Sequence, residues 1–427
     1  MPLSPRHVVP LVALISAAAC GGRDARSTVT VQSQRLTLTA LPSPTGTRAA
    51  EPFLSTAPDG RLLLSWLQRE PDSVTVVMRV ASLGSGDQWS QPGEVVRSTK
   101  LFVNWADFPS VVPLADGTLL AHWLQKNGAG AYAYDVRLAS SRDSGRTWTR
   151  SVTPHGEGVQ AEHGFVTLLP RADSSADIVF LNGREAPPHD GADGGEHRGP
   201  PMRLAHARWT TGSKPITADA QILDERTCDC CQTAAAITTR GPVALYRDRS
   251  ETEVRDISVT RLVDGAWTAP APLHVDDWVI DACPVNGPAI AANGDRVAAV
   301  WFTGARDTAK VQLVFSSDAG VTFGKPVRID GGMPAGRVDV ELLDGGDALV
   351  TWIERTAKDA AEVRARIVSS AGVAEAPLTI TTIKGGRASG FPRMTRRGRD
   401  VALAWTVPAS ATSPSTIELA TLRITPR

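Results

Sequence analysis

Residues 108–127 read FPSVVPLADGTLLAHWLQKN. A short apolar run, a polar turn holding Gly117, and a second apolar run through Trp123 make a two-strand unit, with Asp-Gly at the reversal. The unit recurs as PFLSTAPDGRLLLSWLQRE (52–70), CPVNGPAIAANGDRVAAVWFTG (283–304), GRVDVELLDGGDALVTWIE (336–354) and FPRMTRRGRDVALAWTV (391–407). Weaker copies are HGFVTLLPRADSSADIVFLNGR (163–184) and CQTAAAITTRGPVALYRDR (231–249). Marker positions 52, 109, 164, 232, 284, 337 and 392 are spaced 57, 55, 68, 52, 53 and 55 apart. After each hairpin comes a third strand, such as AYDVRLASS (133–141) or KVQLVFSS (310–317), and then a short fourth. Four antiparallel strands per unit predict an all-β β-propeller of seven blades, or six if one weak copy is an insertion. The seventh unit ends after its third strand, IELATLRI (417–424), while STVTVQSQRLTLTAL (27–41) has strand character and no blade of its own. That N-terminal strand is expected to close the ring and remove the open edges.

The turn after the third strand carries a second pattern. Residues 141–148 (SRDSGRTW) and 316–323 (SSDAGVTF) both fit S-x-D-x-G-x-T-[W/F], and GSGDQW (84–89) and VDGAW (263–267) are worn versions. In such a turn Asp accepts backbone N–H groups, Gly takes a positive φ, and the aromatic packs between strands. The pattern resembles the Asp box of the sialidase-like propellers, the bacterial neuraminidase repeat, over nearly the whole mature chain. The resemblance implies a ligand face opposite these turns and, if there is catalysis, glycoside hydrolysis of the exo-sialidase kind. Members that cleave sialic acid start the first blade with Arg-Ile-Pro and use two further arginines, an Asp acid/base and a Tyr–Glu nucleophile pair. Here the first-blade position reads Glu51-Pro52-Phe53, and none of Tyr132, Tyr134 and Tyr246 lies near the chain end. The chain reads as a divergent member lacking the first-blade arginine.

Propeller geometry sorts the remaining residues. The rim opposite the Asp-box turns collects first-strand starts, second-strand ends and the loops joining strands two and three. Second-strand ends supply Arg69, Lys126, Arg184, Arg247, Arg306 and Arg355; with Arg255 they would form a cationic crown able to fork onto a carboxylate or sulfate. First-strand starts supply Glu51, Asp107, Glu162, His163 and Arg393. Trp105 and Trp278 are the tryptophans the repeat does not explain, suited to stacking on a sugar ring or plugging a gap between blades. Glycoside hydrolysis needs two carboxyl groups roughly 5–9 Å apart, and Asp107, Asp248 and Asp256 are the candidates. The insertion REAPPHDGADGGEHRGPPM (184–202) accounts for the longest spacing; its spacing of acids fits no EF-hand.

At the N-terminus, Arg6 precedes an apolar run from Val8 to Ile15, too short to span a bilayer, and Ala17-Ala18-Ala19-Cys20 resembles a bacterial lipobox. The expected organisation is a signal peptide at 1–19, a tether at 20–30 lipidated on Cys20, and one propeller domain at 31–427. The protein would then be an exported, membrane-anchored lipoprotein. Forty-five basic and 45 acidic residues balance, so no bulk attraction to nucleic acid is expected, and a monomer is the expected state.

RTCDCCQTA (226–234) places Cys228, Cys230 and Cys231 together, and DACPVNGP brings Cys283. Cys231 and Cys283 begin blades 4 and 5 at equivalent positions, so a Cys231–Cys283 disulfide is the leading expectation, with Cys228 and Cys230 paired to each other or one of them to Cys283. The alternative joins His163, Cys231 and Cys283 with Cys228 or Cys230 in a zinc or copper site. Three functions follow: a propeller that binds and in the enzymatic option hydrolyses an acidic glycan, with no cofactor required; a non-catalytic binding or assembly scaffold; or a metal or redox device.

Overall fold

Every hairpin of the repeat becomes the inner pair of strands of its own antiparallel sheet. The computed structural model describes residues 30–32, 35–84, 86–156, 158–185, 201–212, 216 and 220–426; Cys20, the signal segment and residues 186–200 of the insertion lie outside them. Seven sheets follow in chain order, with innermost strands Ala49–Thr56, Ser110–Pro113, His163–Pro170, Ala234–Thr238, Ala289–Asn293, Pro334–Leu342 and Arg393–Arg397. Blade 2 is the thinnest: its fourth strand is reduced to a bridge between Leu138 and Val152. Blade 7 is completed from the other chain end, where Leu36–Leu41 pairs with Thr416–Ile424. Blade 7 in turn packs on blade 1, with Ala404 and Leu419 against Leu64 and Trp66, which closes the ring.

Second strands such as Leu62–Arg69 and Leu119–Lys126 are buried on both faces through their first six residues. They sit between neighbouring blades, so apolar side chains are needed on both sides and the period-two alternation is lost. Trp66, Trp301 and Trp352 on these strands are essentially inaccessible. The two S-x-D-x-G-x-T turns fold alike. Ser141 donates to Asp143 (2.8 Å) and accepts the Gly145 N–H (2.9 Å), while Asp143 accepts the N–H and hydroxyl of Thr147 (2.9 and 2.7 Å). Ser316, Asp318, Gly320 and Thr322 repeat this with bonds of 2.6–3.0 Å.

The opposite rim is less regular. The innermost strands of blades 1, 3 and 6 each bulge at their start, between Ala50 and Phe53, Gly164 and Thr167, and Gly336 and Asp339. The first bulged residues, Glu51, Phe165 and Arg337, have φ of 52°, 54° and 55°. A bulge with a positive φ re-aims the side chain away from the strand's alternation.

Candidate functional site

The Arg337 bulge turns its guanidinium over the Trp105 ring, 4.6 Å from the centroid. Trp105 in turn stacks on Phe391. Arg337 Nη1 donates to Ser389 Oγ (2.6 Å) and to the Gly390 carbonyl (3.1 Å). Trp105, Arg337 and Ser389 form one wall of a cavity of about 230 Å³ whose lining also includes Arg355, Lys358 and Arg387. No carboxylate lines it among the described residues. Burial, followed by the like charges of Arg355 and Arg387, pushes Arg337 down to about 10. Among the described residues no carboxylate pairs with this cation, and an anion entering the cavity would supply a counter-charge.

A smaller cavity of about 150 Å³ lies in the central channel, ringed by Phe53, Phe108, Phe391 and Arg393. Arg393 lies 5.3 Å over both the Phe53 and Phe108 rings and 3.5 Å from Asp339. Asp107 also lines this channel. Its Oδ1 accepts the Phe165 N–H (2.8 Å), and the Tyr134 hydroxyl lies 3.4 Å from its Oδ2 while donating to Glu162 (2.8 Å). Burial drives Asp107 well above the carboxylate range; the Phe165 N–H and the Tyr134 hydroxyl pull it back, and the neighbouring Glu162 charge adds to the rise. One phenol oxygen thus links two carboxyl groups, one buried and one half-buried. Tyr132 is half-buried near Glu162 and is raised chiefly by burial, then by Glu162 and Cys283, with Arg387 opposing.

Several expected ligand residues are engaged elsewhere. Arg247 is 1% exposed and its guanidinium donates to the carbonyls of Asn286, Arg255 and Phe302, clamping blade 4 to blade 5. Trp278 is buried beneath it, 4.9 Å from the guanidinium and edge-on to Phe302, so it plugs the gap between blades. Arg255 is 1% exposed and holds Glu253 (2.7 Å) and the Cys228 sulfur (3.2 Å). Asp256 accepts three backbone N–H groups, from Asp276, Asp277 and Trp278, which is a turn anchor. Asp248 accepts from Arg249 N–H and the Ser258 hydroxyl. Arg69, Arg184 and Arg306 are exposed at their strand ends and outside both cavities, so the crown contracts to Arg355. Arg337, Arg387 and Lys358 are the site cations the sequence reading passed over. A signal existed for Arg337: it occupies the marker position that the other six blades fill with Pro, Gly or Gln.

The cysteine expectations are corrected. None of the four described cysteines forms a disulfide. Cys231 gathers with Cys228 and Cys230 instead, and Cys283 lies with Cys230 and Asp229. His163 is not part of either group: it stacks on His155 at 3.9 Å, near Asp135. The register was right about blade order, but at the rim the chain before blade 4 folds back as a turn, which brings Cys228 to within 3.4 Å of Cys231.

No family model matches the sequence, and no curated protein is similar enough to match. Solved structures do match in shape. An ulvan lyase of a new polysaccharide lyase family, bound to -[GlcA(1-4)Rha3S]-, superposes with a TM-score of 0.55 at 12% identity over 89% of this chain and 95% of its own. The polysaccharide lyase Uly1 gives 0.52 at 8% identity, covering 94% of both chains. An alpha-L-arabinofuranosidase of Fusarium graminearum in complex with an iminosugar inhibitor gives 0.51 at 14% identity over 90% and 96%. At these identities the likeness is one of fold: the chain is a seven-bladed propeller similar in shape to these carbohydrate-active proteins.

Proposed function

We propose that the protein binds an acidic saccharide at the channel mouth, through a carboxylate or sulfate held by Arg337, Arg355 and Arg387, with Trp105 beside the ring. One observation carries this reading: three arginines and a lysine line a cavity without a carboxylate among its described lining residues. Guanidinium forks match carboxylate and sulfate oxygens, and an aromatic wall suits the apolar face of a sugar. The shape-similar ulvan lyase is bound to a saccharide carrying glucuronate and a sulfated rhamnose, which agrees in charge class. The N-terminal sequence supports an exported chain anchored through Cys20, so the ligand would be met outside the cytoplasm. Titration calorimetry with uronate, sulfated and neutral oligosaccharides tests the reading; equal affinity for all three, or none for any, would sink it.

A second reading, hydrolysis, is favoured by the Asp107–Tyr134–Glu162 link, which puts two carboxyl groups on one phenol oxygen. Glu162, the half-buried member, would act on substrate and Asp107 would stay protonated. A panel of fluorogenic uronides and sialosides should then show turnover that Glu162→Gln abolishes. Binding without turnover leaves the protein a saccharide-binding propeller.

A further inference from the structure

The thiol cluster beside the cavity has no part in that reading. Cys228, Cys230 and Cys231 come from a single turn leading into blade 4, and Cys283 from the segment leading into blade 5. The Cys228 sulfur lies 3.4 Å from that of Cys231 and 3.8 Å from that of Cys230. The donor atoms of this trio all lie within 4.8 Å of one another, and so do those of Asp229, Cys230 and Cys283. Sulfurs bound at about 2.3 Å around a tetrahedral ion stand about 3.8 Å apart, so the trio's spacing needs little adjustment, while Cys283, which meets the cluster at Cys230, must swing inward to complete four donors.

Charges of both signs surround the sulfurs. Arg255 Nη1 donates to the Cys228 sulfur at 3.2 Å. Arg249 and Arg255 lie 3.4 and 3.6 Å from Asp229 Oδ1, and the Asp229 Oδ2 faces the Cys283 sulfur at 3.3 Å. A four-thiolate site around a divalent ion carries two net negative charges; Arg249 and Arg255 screen them only in part, since both also pair with Glu253 and Asp229. Cys228 and Cys231 are buried, which shields a metal–thiolate centre from water and oxidants.

We propose that Cys228, Cys230 and Cys231, with Cys283 as fourth donor, hold one closed-shell thiophilic ion, zinc(II) or copper(I), at the channel mouth. Each ligating thiol gives its proton to solvent, and neither the ion nor the sulfurs change oxidation state. The ion would tie the segments leading into blades 4 and 5 together, next to the cavity that Cys283 also lines. Zinc(II) prefers four donors, whereas copper(I) is content with three thiolates, so the role of Cys283 separates the two.

The full-length chain, purified without chelator from reducing conditions, is titrated with zinc(II) and, anaerobically, with copper(I), and its bound metal is counted by mass spectrometry. One equivalent of either ion is expected, with the thiols blocked from alkylation until the metal is stripped. Cys231→Ser should lose the stoichiometric metal; Cys283→Ser should lose zinc and keep copper. Cobalt(II) added to the wild-type chain should give thiolate charge-transfer bands, a readout that stands even if the serine variants fail to fold. A wild-type chain that takes up neither ion overturns the proposal, as does one whose metal survives Cys231→Ser or whose cysteines are isolated as disulfides with no metal bound.

Discussion

The Arg337 guanidinium stands 4.6 Å over the Trp105 ring and 6.0 Å over that of Phe391. This contact joins the bulge that opens blade 6 to the segments that open blades 2 and 7. It places a buried cation between an aromatic platform and two further arginines, where burial and then like charges disfavour it.

Arg337→Met should therefore separate binding from stability. Affinity for the acidic saccharide is expected to fall by about 2 kcal/mol or more, roughly 30-fold. Thermal stability should fall little, by about 1 kcal/mol or less, because the hydrogen bonds lost to Ser389 and Gly390 are offset by removing a cation that burial and like charges disfavour, and the thioether keeps contact with Trp105. Calorimetry and thermal melts check both; a variant that loses stability and keeps affinity contradicts the assignment.

Arg247→Ala should do the reverse. Removing the guanidinium leaves the carbonyls of Asn286, Arg255 and Phe302 without their donor and uncovers Trp278. The expected loss is about 3 kcal/mol or more in chemical denaturation. A loss below about 0.5 kcal/mol would show that the clamp between blades 4 and 5 is dispensable.

Gly164 leaves room for the Asp107 carboxyl. A Cβ there would meet Asp107 Oδ2 at 2.0 Å and the Tyr134 ring at 3.2 Å. Gly164→Ala is expected to cost about 1–3 kcal/mol and to displace Asp107 from the Phe165 N–H. A crystal structure of the variant with Asp107 unmoved would refute this.

Stability should respond to pH through two half-buried carboxyls. Burial pushes Glu51 up to about 7, with Arg69 opposing, and Glu341 up to about 8, with Asp339 adding to the rise. The folded chain then holds protons that the unfolded chain releases near 4.5, so these groups cost stability increasingly as pH rises from about 4.5 to 8. Relative to wild type, the melting temperature of Glu341→Gln should climb between pH 5 and pH 8. A difference that stays flat or falls over that range would contradict the raised carboxyl at Glu341.

The blades were legible because a propeller blade is local: consecutive strands pair, so the apolar runs, their turns and their spacing all reside in one stretch such as 108–127. The closing strand was legible for a related reason, since Leu36–Leu41 had strand character and the seventh unit lacked an outer strand. The site was less so. Placing residues at strand ends assigned them to a rim but not to a point on it, and a ring spreads its rim residues apart; Arg355 lies beside Arg337, whereas Arg69, Arg184 and Arg306 do not line its cavity. The direction of Arg337 depends on a bulge with φ of 55° and on Trp105 arriving from another blade. The thiols were separated from His163 in the same way, by a turn that gathers Cys228 and Cys231 and by a stack that holds His163 on His155. Sequence alone determined the repeat, its strands and the ring they close, because those rest on neighbours along the chain. Tertiary structure decided which charges and sulfurs converge, because that depends on backbone direction at the rim and on packing between blades far apart in sequence.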